Sequence, residues 1–592
     1  MNKAAIYHRP DSEYAYLYDK DTMHIRLRTA KGDMEQVWLL HGDPYDLYFK
    51  HWYKSPLRMT KILSTDCCDY WLAKVTSQSR RLSYGFFLKG IDDTEIFFGD
   101  RGFLPLEEPL LQDTNNYFRM PYFHEIDRCK APDWVRKTVW YQIFPERFAN
   151  GDPDNDPKGT LPWGSVSPGH DDFFGGDLQG VIDHLDYLLD LGINGIYFCP
   201  IFKAHSNHKY DTIDYFKIDP AFGDETVFKQ LVEECHKRGI KVMLDAVFNH
   251  IGDRSPQWKD VLKNGADSRY ADWFHVNEFP ATYQEEEGVD IASHLTYDTF
   301  AFTPHMPKLN TANPEVQEYL LSIARFWIEK YDIDAWRLDV ANEIDHTFWK
   351  KFRKVCNNSK KNFYILGEAW NSSQSWLQGD EFHAVMNYVY TDAILKYFVK
   401  RKISVHTMVG RINNQLMLYR DQTNQVQFNI LDSHDTPRLL TDANGDKDLM
   451  KQVMAFTYIQ PGVPCLFYGD EVGLTGGMDP DCRQCMIWEE GKQDRRLFQF
   501  VKKLIAVRRS QQKILSEGTV HWAEASEESG IIIYERIYGD TILRGVFNTG
   551  EHSETADLNG EVILDNLAKV SGQTVNIEKK GFVLMILPNP PG

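Results

Sequence analysis

The stretch Ala335-Trp336-Arg337-Leu338-Asp339-Val340-Ala341-Asn342-Glu343 reads as a short buried strand that ends in charge. Strand alternation sends Arg337 and Asp339 to one face and Trp336 and Leu338 to the other, so a guanidinium and a carboxylate emerge side by side. Burying two charges contributes little net stability. A structural ion pair at a strand end is the plain alternative to a functional one, and the surrounding chain decides between them.

Outward from this strand, the sequence beyond Thr138 alternates apolar runs of strand length with longer helical segments, the pattern of a parallel α/β arrangement. Strands are predicted over 139–144, 195–199, 241–247, 333–339, 363–367, 384–389, 426–431 and 464–468, with helices between them, for example over 231–238 and 316–330. Eight such units predict a (β/α)8 TIM barrel over 126–510, whose chemistry belongs at the strand C-termini. Asp339 closes the fourth strand, Glu368 the fifth in Ile365-Leu366-Gly367-Glu368-Ala369-Trp370, and Asp435 follows the seventh in Leu431-Asp432-Ser433-His434-Asp435. Carboxylates at three strand mouths converge over one pocket. Glycoside hydrolysis needs such a set, one carboxylate to attack or stabilise the sugar cation and another kept protonated for the leaving oxygen. Crowding like charges raises one pKa and divides those roles.

The flanks differ in texture. Residues 1–125 carry short alternating runs at 15–18, 23–27 and 36–40 between Asp, Gly and Pro clusters, which predicts an N-terminal β-sandwich. Its loop Gly42-Asp43-Pro44-Tyr45-Asp46 has an aromatic tip. After the third barrel strand, 251–310 is far longer than an ordinary barrel loop and is expected to be an inserted functional domain, with Trp273, Phe274, Tyr283, Phe300 and Phe302 in it. Residues 511–592 return to short strands, at 530–536, 543–547 and 582–587, and predict a C-terminal β-sandwich.

Composition excludes other classes. The formal charge of −19 disfavours nucleic acid and anionic membranes, which need clustered Lys and Arg. The aromatic share of 14% suits stacking on sugar rings. Nine cysteines, an odd number including the adjacent Cys67 and Cys68, argue for reduced thiols. Cys482-Arg483-Gln484-Cys485 lacks the second ligand pair that zinc needs and reads as a loop. With no basic leader and no membrane-spanning run, the chain is expected to be cytoplasmic.

Four segments, Asp245-Ala246-Val247-Phe248-Asn249-His250, Trp336 to Glu343, Gly367-Glu368-Ala369-Trp370 and Ser433-His434-Asp435, resemble in order the signature segments of the α-amylase family of glycoside hydrolases. Met306-Pro307-Lys308-Leu309-Asn310 and Val340-Ala341-Asn342-Glu343 are similar to its cyclomaltodextrinase, neopullulanase and maltogenic amylase subgroup, which carries a starch-binding-type N-terminal module. The resemblance implies that Asp339 is the nucleophile, Glu368 the acid and base, and Asp435 a stabiliser of the distorted sugar, with Arg337 keeping Asp339 ionised. It implies substrate contacts at His208, Tyr210, His250, His434, Asp479 and Arg483, and at Trp370 and Phe300 on the leaving-group side. Asn371 stands where many relatives have a histidine, which bears on acceptor binding and transglycosylation. The substrates implied are cyclodextrins, pullulan and maltooligosaccharides; an α-glucosidase or glucanotransferase of the same family, and a non-catalytic glucan-binding protein on this fold, are the alternatives. Asn150, Asp152, Asn155 and Asp156, with Gly175 and Asp177, offer oxygens from two loops as a structural Ca2+ site requires, and resemble the subgroup's calcium loop. A homodimer is also implied, in which the N-terminal sandwich narrows the partner's cleft, with Tyr45 as the candidate contact.

Overall fold

The computed structural model describes residues 1–46, 52–53, 56–286, 291–557 and 559–589. The terminal Pro590-Pro591-Gly592 lies outside them. Eight parallel strands are central: β1 (Trp140–Ile143), β2 (Gly195–Phe198), β3 (Lys241–Ala246), β4 (Ala335–Leu338), β5 (Tyr364–Gly367), β6 (Ala384–Val385), β7 (Phe428–Asn429) and β8 (Val463–Phe467). Their hydrogen-bonded order is β6-β5-β4-β3-β2-β1-β8-β7, and a parallel bridge from Met386 to Phe428 closes the ring. The fold is a (β/α)8 barrel.

Alternation along each strand separates two cores. Trp336 and Leu338 of β4 face outward into the layer shared with the helices. Ala335 faces inward, in a plug with Trp140, Tyr197, Met243, Tyr364 and Leu366 that fills the barrel below the site. Inward positions nearer the strand C-termini turn polar: Gln142 on β1, Asp245 on β3 and Arg337 on β4 are all buried. The barrel is therefore apolar at its base and charged at its mouth.

Two strands, β6 and β7, are reduced to two residues each, far shorter than their apolar runs predict. At β6 the ladder ends at Val385 and a helix, Tyr388–Ile394, begins almost at once. At β7 only Phe428–Asn429 pairs. Side-chain amides take over from the ladder there: Asn387 Nδ2 donates to Asn429 Oδ1 at 2.9 Å, and Asn429 Nδ2 to the Pro461 carbonyl at 2.7 Å. Apolarity reports burial, and these residues are buried without being strand.

The inserted segment after β3 holds the helix Pro256–Asn264 and ties back to the barrel through antiparallel bridges from His250 to Lys308 and from Phe274 to Leu309. Trp258, Trp273, Phe274 and Tyr297 join the main core. Beyond the barrel, the helices Arg495–Ser510 and Gln512–Glu517 precede the first C-terminal strand, Thr519–Ala525, so that domain's sheet starts later than the boundary at 511 expected from sequence. Six strands then form one hydrogen-bonded sheet in which the long Thr574–Pro588 pairs with three others. Its period-2 pattern serves two faces: Ile532, Tyr534 and Leu584 pack with the barrel helices, while Ile531, Val583 and Met585 form a separate core.

The N-terminal domain is a sandwich of a four-stranded and a six-stranded sheet around Ile25, Leu27, Val37, Leu39, Phe86 and Leu88. On the strand Thr22–Ala30 the alternate residues His24 and Arg26 point the other way, to Asp421 of the barrel. His24 Nδ1 lies 2.8 Å from its carboxylate, Arg26 pairs with it, and Arg26 Nη1 donates to the Tyr419 carbonyl at 2.7 Å. Arg26 and its neighbours hold the Asp421 carboxyl well below the usual range, in spite of burial. A carboxyl lowered on folding contributes stability that is complete above its unfolded pKa of about 4 and is lost as pH falls through the lower folded value. Replacing Asp421 with Ala strands Arg26 and is expected to destabilise the chain by about 3 kcal/mol, read as a lower urea midpoint, with the deficit disappearing under strong acid.

Candidate active site

Arg337 is fully buried at the centre of the barrel mouth. Its Nη1 donates to Asp245 at 3.0 and 3.1 Å and to Asp339 Oδ1 at 2.7 Å, while Nη2 lies 3.0 Å from Glu368 Oε2. The last contact is an ion pair without hydrogen-bond alignment, since no acceptor satisfies Nη2 by direction. One guanidinium thus meets three carboxylates from β3 and from the ends of β4 and β5. Asp435, after β7, stands at the rim with its side chain one-third exposed, 3.5 Å from Arg483 Nη2 and 3.3 Å from His434 Nε2.

Three carboxylates on one cation leave excess negative charge in a dry setting. Burial pushes the Asp339 carboxyl well above its ordinary value, against the pull of Arg337, and Glu368 and Asp245 reinforce the rise. Asp245 is pushed up to about 6, again by burial first. Arg337 acts on Asp339 in the expected direction, favouring the carboxylate, and burial is the larger, opposing influence. The cluster as a unit holds a proton above the usual carboxylate range, and such a proton belongs to the set.

The other ring-bearing residues form a chain of neutral contacts. Tyr197 and Tyr210 hydroxyls donate to Asp245 Oδ2 at 2.7 and 3.1 Å, and Tyr210 Oη lies 2.6 Å from His434 Nε2. His434 Nδ1 lies 2.7 Å from Gln142 Nε2, so both its ring nitrogens have protein partners and it braces Tyr210. His208 Nδ1 accepts the Tyr210 N–H at 3.1 Å, which leaves Nε2 to act as a donor. His250 is buried, with Nε2 3.2 Å from the Tyr210 carbonyl and its ring stacked on Phe300 at 5.2 Å. Burial lowers all three imidazoles, His250 to about 3, so each stays neutral and serves hydroxyls as a dipole rather than as a charge.

Trp370 stacks on Tyr388 at 3.6 Å and donates from Nε1 to Glu368 Oε1 at 3.1 Å, and the residue stays 46% exposed, an aromatic platform at the mouth. Arg483 pairs with Asp479 at 2.9 Å and donates to the His434 carbonyl at 2.9 Å, which sets that pair beside Asp435. Tyr45 belongs elsewhere. It is 66% exposed on the N-terminal sandwich, under the Arg81 guanidinium, and the chain's own cluster does not include it.

In the two loops proposed for metal, Asn150 Nδ2 donates to Asp156 Oδ1 at 2.9 Å, and Oδ1 of both Asn150 and Asn155 is buried without a hydrogen-bond partner. Gly175, with φ of 84°, lets the two loops meet closely, since a Cβ there would collide with Asp156 Oδ1 and Asn150 Nδ2. Asp177 differs. Its oxygens accept from the N–H groups of Gly151, Asp152 and Gly180, so it organises the loop as an N-cap. Among the described residues no cluster of three His, Cys, Asp or Glu side chains is set to hold a metal, so the oxygens on offer are chiefly amide and carbonyl.

Sequence reading passed over Asp245, Tyr197, Gln142 and Tyr388 as site residues. Asp245 had a signal, a carboxylate inside an apolar strand run, at the register of Arg337 on the neighbouring strand. The others are polar or aromatic residues in buried strands or helices and look like core until the barrel closes.

A closed (β/α)8 barrel with carboxylates gathered at its strand mouths, neutral imidazoles and an exposed aromatic platform defines a carbohydrate-cleaving barrel enzyme. Residues 142–518 match the alpha amylase catalytic domain and residues 1–124 the alpha amylase N-terminal ig-like domain. The chain belongs to the alpha-amylase family of glycoside hydrolases, in the subgroup of cyclomaltodextrinases, neopullulanases and maltogenic amylases. It is 51% identical over 562 residues to an intracellular maltogenic amylase of Bacillus subtilis, covering 94% of each chain. It is 48% identical to a cyclomaltodextrinase of Geobacillus thermopakistaniensis, covering 99% of each. A solved cyclomaltodextrinase structure superposes with a TM-score of 0.91 at 45% identity, covering 99% of this chain and 100% of that one.

The raised Asp339 sets a pH expectation. On the reading of Asp339 as nucleophile that the family resemblance implies, the group must be ionised, so kcat/KM on an α-glucan oligosaccharide is expected to fall on the acid side with a midpoint above 3.8, the ordinary Asp value. Asp245→Asn removes a negative neighbour and frees Arg337 to favour the Asp339 carboxylate, so this limb moves to lower pH; a limb that stays or rises contradicts the assignment.

Proposed function

We propose that the chain is a retaining hydrolase of α-1,4-glucosidic bonds in cyclomaltodextrins and short maltooligosaccharides, with α-1,6 bonds of pullulan accepted at the same site. The observation that carries this reading is the single guanidinium holding Asp339 and Glu368 side by side at adjacent strand ends. Asp339 attacks the anomeric carbon while Glu368 protonates the departing oxygen; Glu368 then takes a proton from water as it opens the glucosyl ester. Two inversions give net retention. Asp435, with Arg483 and Asp479 behind it, bonds the sugar hydroxyls, and those bonds strengthen as the ring flattens. His208 and His250 meet the same sugar, and Trp370 and Phe300 meet the leaving group.

Three further readings belong to this proposal. The relative from B. subtilis is named intracellular, no helix among the described residues is long and apolar enough to cross a membrane, and we place this chain in the cytoplasm. A second copy supplies its exposed Tyr45 to the cleft in a homodimer. Ca2+ is held by Asn150, Asn155, Asp156 and the Gly175 carbonyl, with Asp152 alongside and Asp177 shaping the loop; the two unpartnered amide oxygens are the feature that fits a hard cation. When bound it supplies charge neutralisation for the loop after β1 and no step of the reaction.

Asp339→Asn is expected to lower release of reducing sugar from β-cyclodextrin by about 10⁴-fold or more, and NMR of the first product from native enzyme to show the α-anomer. Binding of β-cyclodextrin by the native protein without turnover rules the reading out. For the metal, native protein is expected to melt higher in Ca2+ than in EDTA, and Asp156→Ala to abolish the difference with kcat intact.

A further inference from the structure

Val340, the residue after the proposed nucleophile, has φ of 45° and ψ of 42°. A β-branched side chain rarely adopts that left-handed conformation, and holding it costs free energy that the surroundings must offset. The conformation has a visible consequence. In a strand, successive N–H groups point to opposite sides. Here two in a row turn to one residue: Val340 N–H donates to Glu368 Oε2 at 2.9 Å and Ala341 N–H to the Glu368 carbonyl at 3.2 Å. Glu368 N–H in turn donates to the Leu338 carbonyl at 2.9 Å.

We propose that Val340 is a positioning residue for the proton donor, its left-handed backbone occupying Oε2 of Glu368 and so placing the transferable proton on Oε1. The inference rests on the assignment of Glu368 as acid made above. Oε2 accepts from the Val340 N–H and lies 3.0 Å from the Arg337 guanidinium, so a proton there would oppose one N–H and one positive charge. Oε1 accepts one hydrogen bond, from Trp370 Nε1, and a hydroxyl oxygen can accept one bond while donating its own. That oxygen lies on the side of the exposed tryptophan platform. In the first step the Oε1 proton passes to the glycosidic oxygen as the bond from C1 to that oxygen breaks and the bond from C1 to the Asp339 carboxylate forms, leaving Glu368 ionised.

The test replaces Val340 by its α-hydroxy acid counterpart, so that an ester oxygen stands in place of the N–H, and compares kcat/KM on maltotriose and on α-maltosyl fluoride, whose leaving group needs little proton assistance. The maltotriose value is expected to fall about ten- to one-hundred-fold with the fluoride value held within about twofold, while Val340→Gly, which keeps the N–H and tolerates φ of this sign, stays near native on both. Equal loss on both substrates, or no loss on either, overturns the inference. Glu368→Gln on the same pair isolates the parent reading: if it shows no preference for the fluoride, the acid assignment fails, whatever Val340 does. In folded protein labelled with 15N-valine, the Val340 amide proton resonance must shift in Glu368→Ala; an unmoved resonance also overturns the proposal.

Discussion

A guanidinium that cannot lose its proton, sealed in the mouth of a barrel, is the constraint on which the rest of this structure depends. Arg337 is out of contact with water, so its charge has to be answered by carboxylates held within bonding distance. Three carboxylates arrive there because three neighbouring strands end at the same height. Their excess of negative charge is what a glycoside hydrolase exploits, since it needs one carboxylate ionised and another protonated in the same few ångströms. The ion pairs hold the site together, while burial and the uncompensated negative charge raise the Asp339 and Asp245 carboxyls.

Support for that cluster is arranged in layers. Below it, Trp140, Tyr197, Met243, Tyr364 and Leu366 fill the barrel and exclude water from beneath Arg337. Beside it, Gln142, His434, Tyr210 and Asp245 form a hydrogen-bonded chain in which each member fixes the next. Neutral imidazoles suit this environment because a charged one would add a cation to a site whose balance is already set by Arg337. Above it, the inserted segment brings Phe300 over His250, and Lys308 reaches Glu343 at 3.1 Å, tying the insertion to the segment that follows β4. The N-terminal sandwich docks by the same chemistry at longer range, with its Arg26 buried against Asp421.

Much of this was legible from residue order. Strand alternation separates Arg337 and Asp339 from Trp336 and Leu338, and that separation holds in the folded chain because nothing else suits both an apolar helix layer and a polar mouth. Eight apolar runs with helical spacers specify the barrel, and the acids that follow runs four, five and seven mark its charged mouth. Local pattern carries such information because it reports which face of an element must be buried.

Tertiary structure alone decided the rest. Asp245 becomes a partner of Arg337 only when β3 pairs with β4 in register, a contact between residues far apart in the chain. The balance at Asp339 could not be read from its neighbours in sequence, since burial depends on the closed barrel and outweighs the adjacent arginine. Asp177 looks like a metal ligand in sequence and acts as a cap, because a carboxylate takes whichever donors the folded loop presents. The left-handed turn at Val340 has no signature in a β-branched residue; it exists because Glu368, on the next strand, accepts the N–H groups it redirects. Sequence determined which groups are present and which way each strand faces, while distance, solvent exclusion and register, which set pKa and hydrogen-bond direction, required the fold.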